Sequence, residues 1–145
     1  MSKQRPRVVA LALISRPGTR EILVSNSRDK VTDVRFQRPF GGGVDFGERG
    51  EDALRRELFE ELAVELGMVR LIGVVESLFL FEGLARHEIS LLYRTEFADP
   101  SLYAREVFEG IEAEPKFGVW RDLDGEVKVP LYPPGLADHV AAWEG

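Results

Sequence analysis

The sequence contains no cysteine and only two histidines among its 145 residues. Without cysteine the chain cannot form a disulfide bond, a thiolate metal site or a cysteine nucleophile, and two histidines are too few for a histidine-rich zinc site. It also lacks any run of about 18 apolar residues, the length that crosses a membrane as a helix. The apolar run at residues 8–14 follows basic residues but lacks a cleavage pattern, so we expect a core strand and not a signal peptide. We therefore expect a cytoplasmic protein without membrane attachment.

Acidic residues outnumber basic ones, 25 Asp and Glu against 19 Lys and Arg, which gives a net charge of −6. This balance argues against stable nucleic-acid binding, because such binding depends on positive charge that displaces counterions. The charge is also segregated along the chain. Residues 1–40 carry nine Lys or Arg and three acidic residues, whereas residues 48–66 carry seven acidic residues and three Arg. From the length and the hydrophobic content of 44%, we expect a single globular domain spanning residues 1–145.

The order of apolar patterns predicts an α+β fold with one dominant helix. The first two strands are predicted to form a hairpin, because Pro17 and Gly18 lie between them. The strand at residues 69–81 is almost continuously apolar, which is typical of burial on both faces. The glycines at 41, 42, 43 and 47 exclude a regular element and predict a loop that approaches a ligand closely. Strands are predicted at residues 8–14, 21–25, 33–40, 69–81, 87–97 and 116–123, and a short second helix at residues 136–143.

The dominant helix is predicted at residues 51–66. Leucine recurs at every fourth position, which defines an apolar stripe that packs on a core. Acidic residues occupy the first turn, where they complement the helix dipole, and Gly67 follows the last turn as a C-terminal cap. The stripe consists of Leu54, Leu58, Leu62 and Leu66, and the first-turn acids are Glu51 and Asp52.

Three glutamates of this helix, Glu57, Glu60 and Glu61, fall within an arc of about 100° beside the leucine stripe. Like charges at this spacing repel by about 0.2–0.5 kcal/mol per pair even when exposed. Arg56 relieves part of this repulsion if it reaches Glu60, and a divalent cation such as Mg²⁺, which prefers carboxylate oxygens, would relieve more. Because the glycine loop leads directly into the helix, we interpret the two together as a metal–phosphate site. The alternatives are a plain turn and a solvated acidic face.

The spacing of these residues resembles the Nudix box, Gly-x5-Glu-x7-Arg-Glu-U-x-Glu-Glu-x-Gly-U, where U is apolar. Gly42, Glu48 and the segment that begins at Arg56 supply six of the seven identity positions of the pattern. The departure is Ala63, which stands where the family has glycine. Since alanine forms helix better than glycine by about 1 kcal/mol, we expect Ala63 to extend or slightly crowd the last turn without touching a ligand.

The resemblance implies a Nudix-type α/β/α sandwich with a mixed β-sheet, in which the dominant helix is catalytic. It also implies a hydrolase in which water attacks phosphorus in a nucleoside diphosphate linked to another moiety, with Mg²⁺ or Mn²⁺ bridging the phosphates. The alternative is a nucleotide-binding sensor or regulator that keeps the fold but has weak or no turnover. In both cases the expected partner is a small nucleotide-type molecule. Many relatives dimerise, so a homodimer is left open.

The resemblance also assigns expected roles to residues of the box. By position, Glu60 and Glu61 resemble the core metal ligands, and Glu57 resembles a carboxylate that ligates metal or acts as the general base. The carbonyl of Gly41 or Gly42 would complete the metal shell. Several family members instead take the base from outside the box. The candidates for such a base are Glu76, Glu88, Glu106, Glu109, Glu112 and Glu114.

Further expectations concern the brace of the site and the substrate. Arg56, expected among the catalytic residues, and Glu48 resemble a pair that holds the loop against the helix. Arginines just upstream of the glycines could meet phosphate oxygens, and His87 is either a surface residue or a substrate contact. The predicted substrate-binding residues are Arg35, Arg38, Gly42 and Gly43. Aromatic residues that could stack on a base or fill the core are Phe36, Phe40, Phe79, Phe81 and Tyr93.

The substrate itself is constrained only by missing motifs. A proline typical of the ADP-ribose subgroup does not occur between residues 65 and 99, and the upstream motif of the coenzyme A subgroup is not recognisable. The absence of cysteine argues against the isopentenyl-diphosphate isomerase branch. These observations disfavour three substrate groups and leave the others open.

Overall fold

A computed structural model of the chain describes residues 4–125 and 129–144. Four strands precede the first helix in this part of the chain, and four more separate it from the second; a 3-10 helix, Pro100–Ala104, follows the longest strands. The strands are β1 (Arg7–Ile14), β2 (Glu21–Arg28), β3 (Arg35–Arg38), β4 (Gly41–Gly43), β5 (Leu66–Phe81), β6 (Leu84–Phe97), β7 (Val107–Glu109) and β8 (Phe117–Asp122), and the helices are α1 (Gly50–Leu62) and α2 (Leu136–Glu144). Neither α1 nor α2 has the length and apolar content that crossing a membrane requires.

The strands form two four-stranded sheets. The first has the order β4-β1-β6-β5 and is mixed, because β1 runs parallel to β6 and antiparallel to β4. The second has the order β3-β2-β8-β7 and is antiparallel throughout. The predicted hairpin of the first two strands is wrong, since they meet only at an isolated bridge between Ser15 and Ile22. The reason is that β1 and β2 are interior strands, each with both edges already paired within its own sheet.

Strand β1 shows how the two helices cover opposite faces of the sheets. Ala10 and Ala12 belong to a buried cluster with residues of α1, such as Leu58. The alternate residues Val9, Leu11 and Leu13 belong to a second cluster with Leu136 and Val140 of α2. This alternation places sheet residues between two helices, which confirms the predicted α+β class and the α/β/α sandwich, with two sheets where the sequence predicted one mixed sheet.

Helix α1 ends four residues before its predicted end. Ala63 adopts a left-handed conformation (φ 56°, ψ 35°), and its N–H donates to the carbonyl of Phe59 at 2.9 Å. The expectation that Ala63 would extend the helix is therefore wrong, and Gly67 lies in β5 instead of capping the helix. The leucine period misled the prediction because Leu66 is buried at the start of β5, where it meets the same core as the helix stripe.

The burial of β5 and the regular structure of β4 both differ from the predictions for those residues. β5 is an edge strand in which Val74, Leu78 and Leu80 are each more than half exposed, so the prediction of burial on both faces is wrong. Three of the four glycines that were expected to exclude a regular element, Gly41–Gly43, form β4, which pairs with β1. Glycine permits this pairing, because a Cβ atom at Gly41 would overlap the backbone carbonyl of Ala10. The chain at β4 is therefore a thin edge strand without side chains.

Candidate active site

Arg56 joins the glycine segment to α1. Its Nε and Nη2 atoms donate to the two carboxylate oxygens of Glu48, each at 2.9 Å, and Nη2 also donates to the carbonyl of Gly43 at 3.0 Å. Such a two-point pair is strong and directional. The Arg56 hydrogen bonds lower the pKa of Glu48 to about 2, and the same pairing raises the pKa of Arg56. The loop after β4 is thus held against the helix by a fixed ion pair.

Arg56 also approaches two of the three helical glutamates. Its Nη1 atom lies 3.0 Å from Oε1 of Glu57 and 3.3 Å from Oε2 of Glu60. Across residues 4–125 and 129–144, no three His, Asp or Glu side chains are already gathered in a way that could hold one ion. A cation bound by these glutamates would therefore compete with the Arg56 guanidinium for their oxygens.

Glu61 points from the same helix into a different environment. Its side chain is only 7% exposed, and loss of water raises its pKa to about 7, an effect that Lys116 opposes and that the charges of Glu57 and Glu112 reinforce. Lys116 Nζ lies 3.5 Å from Oε1, but Oε2 is buried and accepts no hydrogen bond from the residues that the structure describes. A buried carboxylate oxygen without a donor is unfavourable unless a cation or donor reaches it.

The two faces of β4 lie next to different side chains, Glu57 on one face and Arg7 on the other. On one face, a Cβ atom at Gly42 would overlap the carboxylate of Glu57. On the other face, a Cβ atom at Gly43 would lie 3.0 Å from Nη2 of Arg7. Ladder bonds from Ala12 N to Phe40 O and from Val44 N to Val8 O show that alternate residues bond to β1. The carbonyl of Gly41 therefore points away from β1, toward the open edge of the sheet.

A cavity of about 350 Å³ lies on the Arg7 side of β4. We call it the aromatic cavity, because Phe36, Phe79, Phe81 and Tyr132 form part of its lining. Phe36 meets Phe81 and Tyr132 edge-on, with ring centroids 5.8 and 5.4 Å apart. Of the five aromatic residues considered from the sequence, three line this cavity. The other two, Phe40 and Tyr93, are buried in the core beside α1.

Polar residues line the aromatic cavity in a row set by strand register. Glu88 of β6 is paired with Arg7 of β1 on one side and with Ser77 of β5 on the other. Arg38 reaches the same place from β3, with Nη2 3.8 Å from Oε1 of Glu88. Burial lowers the pKa of Arg38, and the negative charges of Glu88 and Glu61 oppose this change. The negative charges of Glu88 in the cavity and of Glu61 in α1 therefore both act on Arg38.

The structure separates the two predicted phosphate-binding arginines. Arg38 lines the cavity, whereas Arg35 is exposed at the start of β3 and is not part of the lining.

Among the glutamates outside the box, Glu88 lines the cavity, and Glu112 lies close enough to influence the pKa of Glu61. The remaining four are exposed, and two of them have partners of their own. Glu76 pairs with His87 at 2.9 Å, Glu106 pairs with Arg16 at 2.8 Å, and Glu109 and Glu114 lie on exposed surface.

Several cavity residues carry no recognisable signal in the sequence. Arg7 lies there because of the parallel pairing of β1 with β6, which joins segments about eighty residues apart. Tyr132 arrives through a segment held against β3, where Gln37 N donates to Pro130 O and Tyr132 N donates to Gln37 O, both at 2.9 Å. In the sequence, Arg7 is only one of several basic residues near the N-terminus. Tyr132 stands among prolines and belongs to no repeating pattern of apolar residues, so nothing in the sequence marks it as a site residue.

A family model described as the NUDIX domain matches residues 5–125. The chain belongs to the Nudix family. The match includes the glycine strand, helix α1 and most of the residues that line the aromatic cavity. The Nudix box is thus the segment of this chain that carries Arg56 and the three helical glutamates.

Solved structures of other proteins have the same fold. The MutT NUDIX hydrolase from Burkholderia pseudomallei is 27% identical, with a TM-score of 0.67 over 92% of this chain and 96% of that one. The E. coli ORF135 protein is 23% identical, with a TM-score of 0.65 over 97% and 92% of the two chains. A NUDIX hydrolase from Nitrosomonas europaea is 13% identical, with a TM-score of 0.66 over 97% and 89%. The last two likenesses concern the fold alone, whereas the family match and the first structure support a hydrolase.

Proposed function

We propose that this Nudix protein is a divalent-metal-dependent hydrolase that cleaves a pyrophosphate bond in a nucleoside diphosphate linked to another moiety. The observation that supports it best is the buried Oε2 atom of Glu61, which has no hydrogen-bond donor within residues 4–125 and 129–144 and lies on the helix that also carries Glu57 and Glu60. An oxygen-only set of ligands with one unsatisfied buried oxygen suits a hard cation such as Mg²⁺ or Mn²⁺. The residues present therefore fit the metal that the family uses.

Each part of the site has a role in this proposal. Glu57, Glu60, Glu61 and the carbonyl of Gly41 would hold the ion. When bound, the ion supplies neutralisation of the diphosphate charge and Lewis acidity toward the attacking water. Arg56 fixes the helix against the glycine strand through Glu48 and Gly43.

The proton of the attacking water needs an acceptor, for which two residues are suited. Glu57 lies against Gly42, and Glu112 lies near Glu61 on a different segment of the chain. A positioned carboxylate of this kind both orients the water and removes its proton. Arg38 would bind a phosphate oxygen, because it lines the aromatic cavity and the charge of Glu61 influences its pKa. The base and sugar of the substrate would occupy the cavity across β4.

The proposal is tested by incubating the purified protein with Mg²⁺ or Mn²⁺ and a broad substrate panel. The panel contains nucleoside triphosphates, oxidised nucleoside triphosphates, nucleotide sugars and dinucleoside polyphosphates. We expect a phosphate-containing product from at least one of them, and a loss of about 100-fold or more in Glu60→Gln. The exposed Glu65 offers a matched control, Glu65→Gln, which should keep full activity. Tight ligand binding without turnover would instead favour the sensor or regulator. The cytoplasmic location, the lack of nucleic-acid binding and a homodimer stay predictions.

A further inference from the structure

Glu88 is a buried carboxylate inside the aromatic cavity with unused hydrogen-bonding capacity. It is 8% exposed, and its two oxygens each face an arginine, Arg38 at 3.8 Å and Arg7 at 3.9 Å. Both distances are too long for hydrogen bonds, which join nitrogen and oxygen at about 2.7–3.2 Å. The arginines thus balance the charge of Glu88 while leaving its oxygens able to accept hydrogen bonds from a ligand.

Ser77 provides a second, independent sign of a ligand at the same place. It is directly opposite Glu88 across β5 and β6, so both side chains project from the same face of the sheet. Its hydroxyl oxygen is buried and has no hydrogen-bond partner among the described residues. Buried hydroxyls are nearly always paired in proteins, which indicates that this one is completed by something that enters the cavity.

The surrounding side chains define the shape and position of that ligand. Phe36 and Phe79 lie with Tyr132 in the cavity lining, and such rings favour a flat aromatic guest. Arg7, at the edge of the same row, approaches Gly43 of the glycine strand. A planar base bound against this row would therefore leave its phosphates near β4 and the glutamates of α1.

We propose that Glu88 makes the cavity selective for nucleotides whose base has a ring N–H next to a carbonyl group, as in guanine, hypoxanthine and uracil. This inference rests on the proposed function, because it takes the cavity as the site of the substrate base. The ring N–H donates to a Glu88 oxygen, and the neighbouring carbonyl accepts from Arg7. Adenine and cytosine present an unprotonated ring nitrogen there, whose lone pair would face the carboxylate. In the same pose their amino group would also face the arginine in place of the carbonyl, so donor would meet donor and acceptor would meet acceptor, an arrangement that hydrogen bonding rejects strongly.

The first experiment measures binding to the full-length wild-type protein without metal. Calorimetry with GMP, UMP, AMP and CMP should show about 10- to 100-fold tighter binding of the first two, the range expected for a hydrogen bond to a charged group. N1-methyl-GMP lacks the N–H in question and should lose the same factor relative to GMP. Equal binding of the four nucleotides, or equal binding of GMP and N1-methyl-GMP, would overturn the inference. These measurements need no variant, so they do not depend on whether a variant folds.

The second experiment assigns the selectivity to Glu88. Glu88→Gln should reduce the preference for GMP over AMP to about threefold or less, because an amide can both donate and accept. Glu96→Gln makes the same change at an exposed position of the same strand and should keep the wild-type preference. An unchanged preference in a folded Glu88→Gln protein would overturn the role of Glu88.

Failure of the inference is distinguishable from failure of the proposed function. With Mg²⁺, the values of kcat/KM for GTP, UTP, ATP and CTP should follow the same ranking as the binding constants. Base-selective binding without hydrolysis would support the inference and contradict the hydrolase. Hydrolysis with equal kcat/KM for all four, accompanied by competition from inorganic phosphate for the cavity, would support the hydrolase and overturn the inference.

Discussion

Glu61 combines burial and negative charge in one side chain. Loss of water raises its pKa to about 7, and the nearby Lys116 compensates only one of its oxygens. Proteins keep such unfavourable groups where they serve function, because stability alone would favour a neutral residue. In this Nudix protein, the function is the proposed binding of a divalent cation.

We predict that Glu61→Gln separates stability from activity. The variant removes a charge that is costly to bury, so the free energy of unfolding of the metal-free protein at pH 8 should rise by roughly 1–3 kcal/mol. Activity with Mg²⁺ should fall by about 100-fold or more, since a metal ligand is lost. Urea denaturation and initial-rate measurements on the same preparation test both parts. A large loss of stability, or full activity, would show that Glu61 has a structural role only.

Two neighbouring glycines offer a matched pair of substitutions. Gly42→Ala places a methyl group on the Glu57 carboxylate, so we predict a fall in kcat on the order of 10- to 100-fold through displacement of that group. Gly43→Ala meets the end of the Arg7 side chain, which is 60% exposed and can move aside. We expect it to change KM more than kcat. Equal effects of the two substitutions on kcat would contradict the placement of Glu57 against Gly42.

Among the elements, the end of α1 depends on one unusual backbone conformation. Ala63 is left-handed, with φ 56°, at the position where the Nudix pattern has glycine. A residue with a Cβ atom is disfavoured there by about 1–2 kcal/mol, while glycine has no such penalty. Helix α1 therefore ends correctly in this protein despite the residue at its end, because Val64 and Leu66 are buried immediately after it.

We predict that Ala63→Gly stabilises the protein. Relief of the left-handed strain outweighs the greater freedom of glycine in the unfolded chain, so the free energy of unfolding should increase by about 0.5–1 kcal/mol. Ala53→Gly, at a buried position at the end of the first turn of the same helix, should decrease it by about 1 kcal/mol. Urea denaturation of both variants measures whether each substitution raises or lowers the free energy of unfolding. Destabilisation by Ala63→Gly would contradict the left-handed end of the helix.

Sequence patterns predicted some elements well and others poorly, for physical reasons. The strands β1 and β8 and helix α2 follow their apolar patterns closely, because local periodicity reflects which side of an element is buried. The pairing of β1 with β6, which brings Arg7 to Glu88, depends on contacts far apart in the chain and leaves no local pattern. The leucine period located α1, and the Nudix box identified its glutamates, but the residues that line the aromatic cavity come together only in three dimensions.

On the scale of the whole molecule, charge is distributed in a way that the net value of −6 conceals. Arg7 and Arg38 of the basic N-terminal segment line the aromatic cavity, while Glu57 lies on the other side of the glycine strand. The protein thus presents cations where a base and phosphate would bind and carboxylates where a metal would bind. This separation would reconcile the proposed phosphate chemistry with the net negative charge of the protein.

We predict that two carboxylates shape the pH dependence of stability in opposite directions. The folded pKa of Glu48 is about 2, below its usual 4.5, so its stabilising contribution is present above pH 4.5 and is lost as the pH falls toward 2. The folded pKa of Glu61 is about 7, above its usual 4.5, so its contribution is present below pH 4.5 and is lost as the pH rises through 7. Urea midpoints measured from pH 3 to pH 8 without metal should therefore decline less above pH 5 in Glu61→Gln. A wild-type curve parallel to that of the variant would contradict the burial of Glu61.

The most direct test of the central claim is the release of phosphate-containing product by the wild-type protein and by Glu61→Gln, each with Mg²⁺ and with EDTA. The account predicts turnover of at least one nucleoside diphosphate derivative by the wild-type protein with Mg²⁺. It predicts almost none in the other three conditions. Turnover that survives EDTA, or a Glu61→Gln protein as active as the wild type, would contradict a hydrolase that works through the glutamates of α1.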